Sequence, residues 1–268
     1  NIIATAEMIT RENINERISR PPRKDELYSL TETINHLLDR LEDTILRERQ
    51  FTADASHELR TPISVIKGTL EVLIRKERNP DQYKEKIKYV ISEVDRMANL
   101  VDQLLSLARF ESGNIEPMLG PVDLNSIINS VVKRFDLTIK EKNIALEYNF
   151  HNSNQINADA AMTEIIVENL FSNSVKYSDN NGAVKIDLSS ENNMTVLSIK
   201  NFGNIISHEH VNKIFNRFYR TDHGRGSQIE GKGLGLAIVK RLVDLQGFSI
   251  SVNSSIVDGT TFKIEFPS

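Results

Sequence analysis

The chain contains no cysteine and no tryptophan. The first absence excludes disulfides and thiolate metal sites, and it permits a reducing compartment. The second leaves aromatic chemistry to 11 Phe and 6 Tyr. An excess of basic charge is missing too. Lys and Arg number 33 against 37 Asp and Glu, a net charge of -4, which gives no electrostatic footprint for nucleic acid. No run approaches the roughly 20 apolar residues that a membrane span needs, and no signal-peptide pattern opens the chain. Glycine is nearly absent from the first 110 residues, where Gly68 stands alone.

What is present is enough for several domains: 268 residues, 39% of them hydrophobic and 26% charged. The chain opens at Asn1 without an initiator Met and runs directly into a helical pattern. It therefore reads as a piece of a longer protein, with any membrane anchor upstream. Residues 1 to about 110 are rich in Leu, Ile, Glu and Arg and predict helix throughout, with Pro21-Pro22 separating a short helix (about 2–12) from a long one. Leu27, Leu30, Ile34, Leu37, Leu41 and Thr44 step by three and four, a coiled-coil seam. Phe51, Ala55, Leu59 and Ile63 then step by four, a break in register that falls on His57.

Asn79-Pro80 ends that helix. The next carries Ile87, Val90, Val94, Met97, Val101, Leu104 and Ala108, widened by Ile91, Leu100, Leu105 and Leu107. A helical hairpin with two wide apolar stripes cannot bury both alone. Pairing with a second copy gives a four-helix bundle, so a homodimer is expected in preference to a monomeric helical spacer. Glu111 to Asn114, with Pro117, Gly120 and Pro121, reads as a linker. Beyond it the pattern predicts helices at 123–142, 159–177, 208–214 and 233–246. Strands are predicted at 144–150, 183–189, 194–200, 248–254 and 260–266. Without regular βαβ alternation, this is an α+β sandwich with helices on one face of an antiparallel or mixed sheet.

Chemistry-bearing residues gather at several places. Asn169 and Asn173 lie four apart on one helix face, with Lys176 and Tyr177 one turn on. Amide oxygens suit Mg²⁺, Lys suits phosphate and Tyr can stack on a base, although a polar helix face would carry the same residues. Gly231, Gly233 and Gly235 precede a helix, where backbone N–H groups can converge on an anion. Neither the dinucleotide fingerprint nor the P-loop spacing is met. The polar stretch Thr221 to Ser227 before it suits a lid over phosphates.

The ordered series Asn169-x3-Asn173-x2-Lys176-Tyr177, Asn201-Phe202-Gly203, Phe215-x2-Phe218-Tyr219-Arg220 and Gly231-x-Gly233-Leu234-Gly235-Leu236 resembles the ATP-binding domain of histidine kinases, Hsp90, gyrase and MutL. Gly259-Thr260-Thr261-Phe262 is similar to the final Gly-Thr strand of that domain. The resemblance implies that Asn173, assisted by Asn169, holds Mg²⁺, that Lys176 and Arg220 contact phosphates, and that Tyr177 lies against adenine. Phe215 and Phe218 would anchor the lid, and the backbone around Gly233 and Gly235 would receive the phosphate tail. Leu234, Leu236, Gly203 and Thr260 would complete the ATP site. Two positions depart from the pattern near its base-reading end: Asn201 stands where an Asp is usual, and Ile205 replaces a Gly. Lys232 stands where a small hydroxyl residue is common.

In the first half, Phe51-x3-Ala55-Ser56-His57-Glu58-Leu59-Arg60-Thr61-Pro62 resembles the phospho-acceptor box of sensor histidine kinases. A neutral imidazole is a nucleophile near pH 7, Glu58 adjoins it to accept the displaced proton, and Thr61 lies four residues on for a phosphatase step. Pro62 removes a backbone bond at the reactive turn. The first residues, through Pro21-Pro22 to Asp25-Glu26-Leu27 and Asn35-x2-Leu38-x2-Leu41-Glu42, are similar to a HAMP module, which sits just inside a membrane.

The resemblance divides the chain into a HAMP-like coiled coil (1–46), a dimerisation and phosphotransfer hairpin (47–112), a linker (113–120) and a catalytic ATP-binding domain (121–268). It implies autophosphorylation of His57 from ATP and Mg²⁺, transfer to an Asp of a response regulator, and the cytoplasmic side of a bacterial membrane. Two alternatives stand beside it: a dimeric scaffold or phosphatase with a weakened pocket, and an ATP-driven machine like Hsp90 or MutL. An amide at position 201 accepts a hydrogen bond from adenine without charge assistance. Asn201→Asp should therefore tighten ATP by roughly 1 kcal/mol in calorimetry; an unchanged affinity would show that Asn201 does not touch the base.

Overall fold

The structure, a computed structural model, describes residues 13–111, 115–150, 155–191, 194–221 and 231–267. The expected helix over 2–12 and most of the expected lid lie outside these residues. Two compact units divide at Glu77/Arg78, so the two helices of the expected hairpin fall in different units.

In the first unit, helix α1 spans Glu26–Arg75. Asp25 caps it, its carboxylate accepting the N–H groups of Leu27 (3.1 Å) and Tyr28 (3.2 Å). The segment before it is laced to its first turns. Asn35 accepts the N–H of Ile18 at 2.9 Å and donates to the Ile18 carbonyl at 3.0 Å. Arg17 adds ion pairs to Asp39 and Glu42, and Ile14 and Ile18 are buried. The helix continues through Pro62, which is buried. Of the expected seam, Leu27, Leu30, Leu37 and Leu41 are exposed.

The second unit opens with helix α2 (Pro80–Glu111). Asn79 accepts the N–H of Gln82 at 2.8 Å and starts it. Strand β1 (Gly120–Asp123) follows, and Gly120 pairs with Ala158 of β3 (Gln155–Ala158). This two-stranded ribbon has no counterpart among the predicted strands. The predicted helix 123–142 is two helices, α3 (Leu124–Arg134) and α4 (Asp136–Lys142), broken at Phe135. Phe135 leaves the helical path and sets its ring edge-on to Phe171, 5.4 Å between centroids. That aromatic contact accounts for the break.

The remaining elements are β2 (Ala145–Phe150), α5 (Ala160–Tyr177), β4 (Ala183–Glu191), β5 (Met194–Asn201), α6 (His208–Val211), α7 (Gly235–Leu245), β6 (Ser249–Ser255) and β7 (Gly259–Pro267). The five-stranded sheet runs β2-β4-β5-β7-β6 and is mixed, because β2 joins β4 in parallel and the other pairs are antiparallel. α5 packs against α3, α7 and β5, forming the helical layer. Strand alternation supplies the other half of the core. Leu197 and Ile199 of β5 lie opposite Ile264 and Phe262 of β7, and all four are buried. Asp159 ties the layers together. It caps α5 at Met162 (3.0 Å), accepts from Met118 (2.9 Å), and donates its own N–H to Gln246 Oε1 (2.7 Å).

Phe171 is fully buried at the centre of the helical layer. Phe171→Ala should cost about 3–5 kcal/mol of unfolding free energy in urea titrations, from lost transfer energy plus an unfilled cavity.

Candidate functional site

The rotation of α5 about its axis decides which of its residues meet the core. Ile166, Val167, Leu170, Phe171, Ser174 and Val175 are buried, and Asn169, Asn173, Lys176 and Tyr177 lie half-exposed on the flank. These four line a cavity of about 210 Å³ together with Asn201, Arg220, Gly231, Gly233, Leu234, Gly235, Leu236 and Thr260. Most of the residues singled out in the sequence thus converge on one place.

Each polar group has an identifiable support. Asn169 donates its amide N–H to the Ile165 carbonyl at 2.9 Å. Its Oδ1 faces Gly235, where an added Cβ would stand 2.6 Å from it. The hydrogen-bond donor is spent on the helix and the hard oxygen is left for the cavity. Lys142 donates its ammonium to the carbonyls of Val175 (3.0 Å), Lys176 (2.8 Å) and Ser178 (3.3 Å), closing the C-terminus of α5 beneath Lys176 and Tyr177. Burial, helped by the positive charges of Arg220 and Lys142, pushes the Lys176 ammonium down to about 8. Burial also raises the Tyr177 phenol.

Opposite them, the chain turns into α7 at Gly233, whose φ of +72° is the left-handed region. A Cβ there would stand 2.7 Å from the Tyr219 carbonyl oxygen and 2.8 Å from Phe218. The Gly233 carbonyl instead accepts the Phe218 N–H at 2.9 Å. Leu234 anchors this turn: its side chain is fully buried, and no side chain caps the helix that it precedes. The first N–H groups of α7 are thus available to an anion.

Asn201 ends β5 in the inward register of Leu197 and Ile199 and is 2% exposed. Its Nδ2 is buried and has no hydrogen-bond partner among the described residues. Ile205, Ile206, Ile214 and Phe262 make this end of the cavity apolar. Thr260 Oγ1, close by, is engaged by Ser254 Oγ at 2.7 Å.

Three predicted residues do not line the cavity: Gly203, Phe215 and Phe218. Gly203 bridges Ser178, an approach to the Tyr177 carbonyl too close for a Cβ. Lys232 and Ile205, which depart from the family pattern, do line it. So do several residues that the sequence did not single out, including Ser172, Asn204, Tyr219 and Gln103. Tyr219 lies inside a motif that was read, and its hydroxyl meets His210 Nδ1 at 2.6 Å. Gln103 had no signal at all, since it reaches the cavity only because α2 docks on α7. There Arg241 Nε donates to the Phe110 carbonyl at 2.9 Å, and Arg217 pairs with Glu111.

In the other unit, His57 is exposed on α1, Glu58 lies beside it half-exposed, and the Thr61 hydroxyl donates to the His57 carbonyl at 3.3 Å.

Comparisons with known proteins agree with this arrangement. Residues 47–113 match the His Kinase A (phospho-acceptor) domain, and residues 158–268 match the histidine kinase-, DNA gyrase B- and HSP90-like ATPase family. The chain is 33% identical to the sensor protein CopS of Pseudomonas syringae pv. tomato, over 84% of this chain and 46% of that protein. It is 31% identical to the signal transduction histidine-protein kinase ArlS of Staphylococcus aureus (strain USA300), over 96% of this chain and 57% of that protein. It thus spans about half the length of these curated relatives. Among solved structures, full-length ShkA in complex with AMPPNP is 27% identical, with a TM-score of 0.61 over 82% of this chain and 45% of that one. The fold is also that of the histidine kinase ThkA in complex with response regulator protein TrrA, with a TM-score of 0.70 at 23% identity, over 91% of this chain and 68% of ThkA.

The chain belongs to the sensor histidine kinases. None of the described helices is long and apolar enough to cross a membrane.

Lys176 carries its charge below a pKa of about 8 and loses it above. Affinity for inorganic triphosphate should therefore fall from about pH 7 to about pH 9.5, and Lys176→Met should flatten the profile measured by calorimetry.

Proposed function

We propose that this chain is an ATP-dependent protein-histidine kinase: ATP binds in the cavity between α5 and α7 and phosphorylates His57. The observation that carries the reading is the convergence of Asn169, Asn173, Lys176, Arg220 and the uncapped start of α7 on one cavity, whose other end is apolar. That polarity matches a nucleoside triphosphate, with its phosphates at the cationic end and its base at the apolar end. The AMPPNP complex of the related ShkA supports the same assignment.

Lys176 and Arg220 hold the phosphates by charge, and Tyr177 lies against the base. The amides leading into α7 receive the phosphate tail, with Leu234 and Leu236 fixing that turn. Gly203 and Thr260 position the base end, and Phe215 and Phe218 brace the segment between α6 and α7.

Mg²⁺ fits the donor set. No cluster of three carboxylate, His or Cys ligands occurs among the described residues, and the Asn169 oxygen faces the cavity. Such a site suits an ion that keeps its waters and phosphate ligands. Asn173, supported by Asn169, would hold it, and bound there it would neutralise charge developing on the phosphates.

At His57, an imidazole nitrogen forms the P–N bond as the bond from the γ-phosphorus to the bridging oxygen breaks and ADP leaves. Glu58 accepts the proton from the other ring nitrogen. The phosphoryl group then passes to an Asp of a response regulator, and Thr61 serves the reverse, phosphatase direction.

Several features support the rest of the assembly. Ile87, Ile91, Val94, Val101 and Leu105 of α2 are exposed, as are four leucines of the α1 seam, and a second copy of the chain would cover them. Asn35 and Glu42, which hold the connector through Ile18 and Arg17, fit a HAMP-like role for the first 46 residues. That role implies a membrane anchor upstream and a cytoplasmic location.

Incubation of the chain with γ-labelled ATP and Mg²⁺ should give an acid-labile, base-stable label on the protein that His57→Gln abolishes. Free phosphate without labelled protein would instead identify a conformational ATPase, and no nucleotide binding a scaffold.

A further inference from the structure

Asn201 is a buried amide at the inward-facing end of β5. It continues the inward register of Leu197 and Ile199, pairs with Thr260 across the sheet, and is 2% exposed. A polar group in such a place is ordinarily satisfied by the fold. Here Nδ2 has no partner among the described residues, and Asn201 lines the cavity. Neighbouring polar groups do not supply one. Thr260 Oγ1 is engaged by Ser254 and the Asn204 carbonyl, Asn204 also lines the cavity without bonding Asn201 Nδ2, and Ile205, Ile206, Ile214 and Phe262 are apolar. That buried donor on the cavity wall is available to an acceptor on a ligand.

We propose that Asn201 makes the base end of this cavity accept 6-oxopurine nucleoside triphosphates, the class that includes GTP, alongside ATP. This rests on the reading of the cavity as a nucleoside triphosphate site. A 6-aminopurine offers a donor at N6 and an acceptor at N1. A 6-oxopurine offers the reverse, an acceptor at O6 and a donor at N1. The side-chain amide carries one acceptor and one donor group, and a half-turn about its last torsion exchanges them. It therefore matches either edge. The orphaned nitrogen is already presented for an acceptor, which O6 supplies as well as N1 of adenine does. A carboxylate at the same position accepts only. It suits the 6-amino group and repels a 6-oxo group, so it would read adenine alone.

The test is the ratio of two affinities measured on the whole chain with Mg²⁺. ITP is the probe, because it carries the 6-oxo edge without the 2-amino group of guanine. Competition against a fluorescent ATP analogue should place ITP within about tenfold of ATP for the wild-type chain. In Asn201→Asp the gap should widen at least about tenfold further, ITP weakening as ATP tightens, since matching or mismatching a paired edge is worth about that factor. ATP binding with ITP rejected by more than about 100-fold in the wild type would overturn the inference and leave the kinase reading standing. An unchanged ratio in Asn201→Asp would overturn it as well. Binding of neither nucleotide would remove both. If Asn201→Asp does not fold, as judged by circular dichroism, the wild-type ratio decides alone.

Discussion

Ile166, Leu170, Phe171 and Val175 are pressed out of solvent within the α3, α5, α7 and sheet layers, and that burial fixes the rotation of α5 about its axis. Every polar residue of the cavity's floor is placed as a consequence. Residues three and four apart share a helix face, so an inward stripe of four apolar side chains leaves Asn169, Asn173 and Lys176 together on the flank. The floor needs no loop to hold it. Its precision comes from the packed core, supplemented by Lys142 closing the last carbonyls of the helix.

The two ends of the cavity obey opposite physics. At one end, burial lowers the Lys176 ammonium, and the nearby positive charges of Arg220 and Lys142 add to that effect. A polyanion relieves it. Around Asn201 the lining is uncharged, with Asn204 and Thr260 beside the isoleucines, so selectivity there depends on hydrogen-bond direction. The left-handed φ at Gly233 lets the chain carrying Phe218 and Tyr219 lie directly against it.

Much of this was legible in the amino-acid order. Periodicity gave α1, α2, α5 and α7 within a few residues, because strongly amphipathic helices announce their buried faces. The sheet strands were legible for the same reason, as in Thr260, Phe262, Ile264 and Phe266 of β7. The β1–β3 ribbon was not, since four-residue strands rich in polar residues carry too little alternation to stand out. The break at Phe135 was hidden because its cause, Phe171, lies far along the chain. Motif spacing found most of the residues that line the cavity. Gly203, Phe215 and Phe218, named in the same series, are not among the lining residues. Gln103 could not have been found, because nothing local marks a helix residue that meets the site through docking.

That docking has a mechanical meaning. The last turn of α2 is held by Arg241 of α7 and by Arg217 from the segment before it, and Leu107, four residues before Glu111, lies one turn beyond the wall residue Gln103. The helix that carries Gln103 therefore forms one side of the cavity, and the setting of α2 enters the volume that a ligand meets. By thermodynamic reciprocity, a ligand filling that volume exerts an equal bias on where α2 rests. Occupancy and helix setting are thus two readings of a single equilibrium.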